Sequence, residues 1–385
     1  MAVKIMWLHS HITNASGSSK FLYNILKQLS SKYEITLFVQ KPITFFTKEF
    51  ENLPITIISL SDSSTSDLKF WLNFSSEIKK QKIFLKNETH NFDLVISSFF
   101  PMNVIANELE LNHLQFCFQP YAFFWDDELI QSLPFFKKIL LKYFKKQFSK
   151  LDSIATKNSK ILLTINEGSK IAIQKIYDKF SIPTNMGLDI KKTKSIKNSL
   201  NLENSKILIH STDWSRLKNT LWLIDQFSII QQHVPNTILM ITETNVNSFE
   251  KNKVKKLIQE KNIKNVNFLG TLSTNDYSKY LSSSDVVIFS GSGSGITTSL
   301  FVLECMALGI PALVTSQVSE DVLHKKTGYV YNNVDEFQDY LLKLLGNDEL
   351  RHQLGNNARK YVVEKHSWKN AAHIFDKNIL KLFQK

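Results

Sequence analysis

The residues best suited to chemistry in this sequence form a glycine- and serine-rich segment and the apolar run behind it. Residues 290–295 read Ser-Gly-Ser-Gly-Ser-Gly, and the apolar run ends in Gly309-x-Pro311. Such a segment exposes backbone N–H groups at the start of a helix, where phosphate binds well. The run contains one carboxylate, Glu304, whose charge is costly without a partner, and a ligand could supply that partner. The alternative is a flexible loop before a core helix, with Glu304 on a solvated edge.

A second candidate site follows a strand predicted at 207–210. The loop after this strand contains Arg216 and Lys218, and a helix is predicted at 220–232. A planar guanidinium and a compact ammonium at the mouth of an α/β domain suit a diphosphate. Arg216 is the more telling residue, because nearly all the other basic residues of the chain are lysines. The alternative is a solvated basic turn.

Alternating strands and helices are predicted to position both sites. In the first part of the chain, predicted strands lie at 4–8, 35–39, 93–97, 113–118 and 160–165. A polar, lysine-rich stretch follows at 182–205. After it, predicted strands lie at 207–210, 237–242, 266–269 and 286–290. This alternation predicts parallel sheets that are covered on both faces by helices. We therefore predict an α/β chain of two Rossmann-like domains facing a central cleft, with ligands at the carboxyl ends of the strands.

The glycine- and serine-rich segment belongs to a strand–loop–helix–strand unit predicted at 286–315. Thr297 or Thr298 can cap the helix, because a side-chain oxygen there accepts a hydrogen bond from one of the first N–H groups. Gly309 fits the position just after the helix, since glycine readily adopts the left-handed conformation, and Pro311 follows it.

The composition limits the classes of protein to which this chain can belong. Its 385 residues predict two domains, and its formal charge of +12 indicates anionic partners. Cys117 and Cys305 lie in apolar runs and are predicted to be buried and reduced. Without a signal peptide or an apolar run of about 18 residues, the chain is expected to be cytoplasmic. Nucleic-acid binding would rest on net charge alone, so no nucleic-acid partner is expected.

Residues 134–148 form a predicted helix with two contrasting faces. Phenylalanine, isoleucine, leucine and tyrosine fall on one face, and lysines fall on the other. This composition is typical of a helix that lies on an anionic membrane surface. The alternative is a core-facing helix whose basic face is solvated.

The sequence Asp-Val-Val-Ile-Phe-Ser at 285–290, followed by Leu-Glu-Cys-Met-Ala-x-Gly-x-Pro at 303–311, resembles a known sugar-nucleotide site. It looks like the site of the retaining glycosyltransferases of family 4, which have the GT-B fold. In that family the second of two paired glutamates binds the nucleotide ribose, and it corresponds to Glu304. The first glutamate, which contacts the donor sugar, corresponds to Ile296 here. The resemblance assigns donor binding to the residues of this turn, Gly295, Ile296, Thr297, Thr298, Ser299 and Leu300.

Other segments resemble the same family more loosely. Arg216 and Lys218 are similar to the pair that neutralises the leaving nucleoside diphosphate. Gly17 and Ser18 resemble the N-terminal loop that faces the donor phosphates, and Leu272 ends a segment similar to the one that cups the nucleotide base.

Residues 116–126 resemble the acceptor-side segment of the family, which implies acceptor contacts by Gln119 and Trp125. Phe118 stands where that segment has a histidine, so a second polar group is replaced. The resemblance implies an acceptor domain at 1–185 and a nucleotide-sugar domain at 186–367, with a closing helix at 368–385 that returns to the first domain.

The resemblance implies a hexosyltransferase that retains anomeric configuration, with Arg216, Lys218 and Glu304 as its catalytic residues. The donor would be a UDP- or GDP-sugar and the acceptor a lipid-linked or polysaccharide molecule, as in polysaccharide biosynthesis. We expect no metal and no cofactor, and we expect a cytoplasmic protein, peripheral at the inner face of the membrane. Because Ile296 and Phe118 replace polar groups, a non-catalytic GT-B partner of an active glycosyltransferase is the alternative.

Overall fold

The computed structural model describes residues 3–12, 17–41, 50–61, 73–133, 135–189, 196–197, 201–243, 249–291 and 298–384. The chain divides into two compact units. The first unit comprises Met1–Gly187 together with His366–Lys385, and the second comprises Leu188–Lys365.

The first unit alternates strands and helices, as the sequence predicts. Its elements are β1 (Lys4–His11), α1 (Gly17–Leu29), β2 (Glu34–Lys41), β3 (Thr56–Ser59), α2 (Phe74–Glu88), β4 (Leu94–Ser98), α3 (Met102–Ala106), β5 (Asn112–Cys117), α4 (Ala122–Trp125), α5 (Asp127–Ser132), α6 (Phe135–Asn158), β6 (Ile161–Thr164), α7 (Glu167–Tyr177), β7 (Ile182–Pro183) and, from the end of the chain, α14 (Trp368–Lys381). The strands form one parallel sheet in the order β3-β2-β1-β4-β5-β6-β7.

Both faces of this sheet are buried in its middle strands, which explains the uninterrupted apolar runs at 5–8 in β1 and 94–96 in β4. Along β1, Ile5 and Trp7 join a cluster with α1 and α14. Met6 and Leu8, which point the other way, join a second cluster with α2 and α3. The alternation of neighbouring side chains between two cores is the period expected of a strand.

The last helix of the chain, α14, is part of this first core. Phe375 stacks on Trp7 with ring centroids 5.7 Å apart, and Trp368 meets the edge of Phe21 at 5.9 Å. Asp376 accepts hydrogen bonds of 2.7 Å from Lys32 Nζ and Tyr33 Oη. The helix is therefore held to the start of the chain by both apolar packing and an ion pair.

The helix predicted at 134–148 is longer in the structure, where α6 continues to Asn158. Its middle is anchored, because Phe144 and Phe148 pack against a cluster that contains Phe74, Phe100 and Phe124. Further along, Asp152 is buried and accepts hydrogen bonds from Tyr177 Oη at 2.6 Å and Asn103 Nδ2 at 2.8 Å. Among the described residues, no helix combines the length and the apolarity needed to cross a bilayer.

The second unit repeats the pattern around a second parallel sheet. Its elements are β8 (Lys206–Thr212), α8 (Thr220–His233), β9 (Thr237–Glu243), α9 (Phe249–Glu260), β10 (Val266–Gly270), α10 (Thr274–Ser282), β11 (Val286–Phe289), α11 (Leu300–Ala307), β12 (Ala312–Thr315), β13 (Gly328–Tyr331), α12 (Val334–Gly346) and α13 (Asp348–Lys365). The strand order is β10-β9-β8-β11-β12-β13. Helices α11 and α13 cover one face of the sheet, and α8 and α12 cover the other.

Candidate functional site

The loop after β8 has a backbone shape that depends on two residues in the left-handed region. Trp214 has φ 59° and Asn219 has φ 53°. Below the loop, Thr212 Oγ1 accepts hydrogen bonds of 3.0 Å from the Trp214 N–H and from the hydroxyl of Thr220. Burial lowers the pKa of His210, which lies 3.1 Å from Thr220 Oγ1, to about 4. This buried network fixes the loop that carries Arg216 and Lys218.

A buried ion pair that the sequence does not predict supports the same loop. Trp214 Nε1 donates to Glu243 Oε2 at 2.7 Å, and Lys251 Nζ donates to the same oxygen at 2.5 Å. Both charged side chains are nearly inaccessible to solvent, so each needs the other. Glu243 ends β9 and Lys251 lies in the first turn of α9, so only the tertiary fold brings them to Trp214.

Lys218 lies against the start of the glycine- and serine-rich segment. Its ammonium is 5.0 Å from the ring centroid of Phe289, and Ser290 Oγ donates to its backbone carbonyl at 3.0 Å. The backbones pack so closely that a Cβ on Gly291 would lie 2.8 Å from the carbonyl oxygen of Leu217. The structure therefore brings together the two constellations that the sequence placed at the ends of β8 and β11. Gly295, Ile296 and Thr297 lie outside the described residues.

Arg216 faces a different partner from Lys218. Its Nε is 3.3 Å from Glu250 Oε1, and Lys253 Nζ donates to the same oxygen at 2.9 Å. The side chain of Arg216 is 76% exposed, so this ion pair contributes little to stability. Arg216 lines a cavity of about 270 Å³ together with Trp214, Ser215, Asn219, Thr220, Leu221, Glu250, Lys253 and Val254.

Glu304 has a protein partner that its sequence does not reveal. It lies on α11, whose other residues from Phe301 to Ala307 are buried apolar side chains. Tyr277 Oη donates to Glu304 Oε2 at 2.8 Å. Burial, followed by the charge of Glu304, raises the pKa of Tyr277 well above its ordinary value. The carboxylate in this apolar helix is thus held in place by a tyrosine on α10.

The start of α11 differs from the prediction in one respect. Ser299 occupies the cap position and Leu300 is the first helical residue, so the prediction that Thr297 or Thr298 caps the helix is wrong. The hydroxyl of Thr298 instead accepts a 2.8 Å hydrogen bond from the Asp321 N–H. At the other end, Gly309 has φ 86°, which confirms the predicted left-handed position after the helix.

The remaining predicted residues lie just after β10, at the start of α1 and after β5. Leu272 follows β10 and is half-buried, two residues after Gly270, which has φ 68°. In the first unit, Gly17 is the exposed first residue of α1, and Ser18 beside it is half-buried.

On the predicted acceptor side, Gln119 is exposed and Trp125 is half-buried. The ring of Trp125 meets the edge of Tyr177 at 6.0 Å and lies 5.4 Å from the ammonium of Lys145. Phe118, at the histidine position, stacks on Phe99 with centroids 4.7 Å apart. The residues that follow β5 therefore combine half-buried aromatic rings with the exposed amide of Gln119.

Comparison with known families finds similarity in the second unit. The profile of the family described as Glycosyl transferases group 1 matches residues 191–361. Glycosyltransferase 1 domain-containing protein 1 of Xenopus tropicalis is 25% identical over 169 residues, which are 43% of this chain and 48% of the relative. N-acetyl-alpha-D-glucosaminyl L-malate synthase of Bacillus anthracis is 27% identical over 167 residues, 42% of each protein. The chain thus spans less than half the length of these relatives.

Similarity to solved structures extends over the whole chain. Sucrose-phosphate synthase of Thermosynechococcus elongatus has a TM-score of 0.76 at 13% identity, covering 99% of both chains. Anabaena HepE in complex with UDP has a TM-score of 0.77 at 14% identity, covering 98% of this chain and 100% of its own. At such low identity the likeness concerns the fold, and it confirms the predicted GT-B fold of two Rossmann-like α/β domains.

Proposed function

We propose that this chain, which has the GT-B fold and matches a glycosyltransferase profile over most of its second unit, is a retaining glycosyltransferase. It would move a hexose from a UDP- or GDP-sugar to a lipid-linked or polysaccharide acceptor. The observation that carries this proposal is the packing of Lys218 against Phe289 and Ser290, which places a cation beside a backbone segment suited to phosphate. A structural neighbour, Anabaena HepE, was solved in complex with UDP, which supports a nucleoside diphosphate as a ligand.

In the proposed reaction, protein charges stabilise the leaving group. Lys218 and Arg216 would face the negative charge that develops on the departing diphosphate, and the backbone at the start of α11 would add N–H donors. The bond between the anomeric carbon and the diphosphate oxygen breaks while a bond to the acceptor oxygen forms on the same face. The acceptor proton passes to the leaving phosphate oxygen, so no protein nucleophile is required. Glu304 would accept hydrogen bonds from the ribose hydroxyls.

The sugar and acceptor side of the proposed enzyme differs from that of the family it resembles. Ile296 replaces a carboxylate, and Phe118, stacked on Phe99, replaces a histidine. These replacements are the observation that favours the second candidate function, a non-catalytic partner that keeps only the nucleotide half of the site.

Calorimetric titration with UDP, GDP and ADP tests the proposal first. We expect one of these nucleoside diphosphates to bind. We also expect the protein to hydrolyse the matching sugar nucleotide slowly, or to transfer its sugar to an acceptor. Binding without hydrolysis or transfer to glycan and lipid-linked acceptors would favour the non-catalytic partner. If none of the three nucleotides binds, the proposed donor site is wrong.

The N-terminal half of α6 supports the proposal that the protein is peripheral at a membrane. Its large apolar side chains are exposed, from 53% for Leu140 to 79% for Phe135. The anchored residues Phe144 and Phe148 belong to the other side of the helix, so the core-facing alternative accounts for only part of its apolar residues. We call the exposed apolar set the α6 face, which comprises Phe135, Phe136, Ile139, Leu140 and Tyr143.

Charge around the α6 face favours anionic lipid as the partner. Residues 135–151 contain several lysines and no aspartate or glutamate. Lysines beside exposed aromatic side chains combine apolar insertion with attraction to lipid phosphates. A second copy of the chain would instead set lysines opposite lysines across a two-fold contact, which costs energy. We therefore propose that the α6 face lies on the inner leaflet, near a lipid-linked acceptor.

Flotation with vesicles of phosphatidylcholine and phosphatidylglycerol tests the α6 face. We expect the protein to float at low salt and to be released at high salt, because screening weakens the lysine contribution. Replacing Phe135, Phe136 and Tyr143 by serine should abolish flotation. Phe180→Ser is the matched control, because Phe180 is also an exposed phenylalanine of the first unit, at 67%. Equal loss in the control, or no flotation of the unaltered protein, would contradict the proposal.

A further inference from the structure

The hydroxyl of Tyr277 is hydrogen-bonded to Glu304, the one charged residue of α11. The helix contributes buried apolar side chains to the core of the second unit, and Glu304 is its single ionisable carboxylate. Tyr277 Oη donates to Glu304 Oε2 at 2.8 Å, an ordinary distance for a hydrogen bond between a hydroxyl and an oxygen acceptor. This contact connects two consecutive helices of the second unit, α10 and α11.

Local structure fixes Tyr277 in the position from which it donates. Helix α10 is capped by Ser273, whose Oγ accepts from the Asp276 N–H at 3.2 Å and donates to Asp276 Oδ2 at 2.8 Å. Lys279 adds a 3.0 Å ion pair to Asp276. One residue after this capped turn, the ring of Tyr277 packs against the apolar cluster that includes α11. The apolar cluster and the capped turn therefore hold the ring of Tyr277 in place while its hydroxyl reaches the carboxylate of Glu304.

The protonation state of Tyr277 suits a fixed donor. Because burial and the adjacent charge raise the pKa of Tyr277, its hydroxyl stays a donor at neutral pH. A carboxylate that receives a hydrogen bond on one oxygen has fewer orientations available than a free one. A binding group that is already oriented loses less conformational entropy when a ligand arrives.

We infer that Tyr277 is a positioning residue that orients Glu304 toward the ribose hydroxyls of the donor nucleotide. This inference rests on the proposed function and deepens it, since it assigns the discrimination between ribonucleotide and deoxyribonucleotide donors to a tyrosine–glutamate pair. Tyr277 itself need not touch the ligand. Its contribution is therefore visible only when the ligand carries the hydroxyls that Glu304 recognises.

The test compares UDP with 2′,3′-dideoxy-UDP by calorimetry on the full chain, or GDP with its dideoxy analogue if GDP is the nucleotide that binds. For Tyr277→Phe we expect about tenfold weaker UDP binding, the loss typical of one hydrogen bond to a charged group. Binding of dideoxy-UDP should change by less than about twofold. Tyr280→Phe is the matched control, because it removes the same group from the same helix and cluster and should leave both affinities unchanged.

A second variant separates positioning from folding. In a Glu304→Gln background, Tyr277→Phe should cause no further loss of UDP affinity, because its effect passes through the carboxylate. In kinetics, Tyr277→Phe should raise KM for the sugar nucleotide and leave kcat unchanged. Equal weakening of UDP and dideoxy-UDP, or no change in either, would overturn the inference. A parent protein that binds no nucleoside diphosphate would instead contradict the proposed function.

Discussion

Replacing Lys218 or Arg216 by alanine is expected to reduce sugar transfer by about 10²–10³-fold without unfolding the protein. Both cations would stabilise charge on the departing diphosphate, and this stabilisation is worth most in the transition state. Lys218 is the more direct test, because its ammonium already lies beside Phe289 at the start of the glycine- and serine-rich segment. The measurement is kcat and KM for transfer or for hydrolysis of the sugar nucleotide. We expect the loss mainly in kcat.

Lys343→Ala is the control for these two variants. Lys343 also belongs to the second unit and pairs with Asp339 on α12, so its removal changes the net charge by the same amount. We expect this variant to retain full activity. Arg216 must also leave Glu250 to reach a diphosphate, so Glu250→Gln should preserve activity. If Lys218→Ala and Arg216→Ala both turn over at the parent rate, the proposed role of the cations is wrong.

Gly355→Ala is expected to lower the free energy of unfolding by about 2–3 kcal/mol, because it overpacks a site bounded by backbone. Gly355 lies on α13 and faces the end of α11. A Cβ on Gly355 would lie 1.9 Å from the carbonyl oxygen of Gly309. Gly309 cannot easily move, since it has φ 86° and leads directly into β12. Urea denaturation followed by circular dichroism measures the change.

Gly346→Ala provides the comparison for the stability measurement. Gly346 is the last residue of α12, and a Cβ there would meet no heavy atom within 4 Å. Alanine should therefore be neutral or should stabilise by up to about 1 kcal/mol. Unfolding of Gly355→Ala at the same urea concentration as the parent would show that the two helices can separate without cost.

The fold was largely predictable because its main strands are buried on both faces and are read as short apolar runs. Strands β3, β7 and β13 were not predicted. They have four, two and four residues. The first residue of β13 is Gly328, where a Cβ would lie 2.2 Å from the carbonyl oxygen of Ala312. Pairing with β12, and not the local sequence, therefore requires glycine at this position. Edge strands of this length carry too few residues for a periodic signal.

The candidate site was predictable only where strand ends determine it. Lys218 and Ser290 follow the neighbouring strands β8 and β11, so parallel pairing brings them together. The partner of Glu304 could not be predicted, because the contact between Tyr277 and Glu304 depends on how α10 packs on α11. The direction of Arg216 could not be predicted, since an exposed side chain has many rotamers and its partner, Glu250, belongs to another helix.

The position of α14 in the first core has a consequence for the order in which the protein folds during synthesis. Trp368 and Phe375 pack on Phe21 and Trp7, which the ribosome makes long before α14. The first unit therefore exposes part of its apolar core until α14 has emerged, whereas the second unit is contiguous and is complete earlier. We expect the second unit to finish folding first, against the usual N-terminal order, and the first to depend on chaperones while it waits.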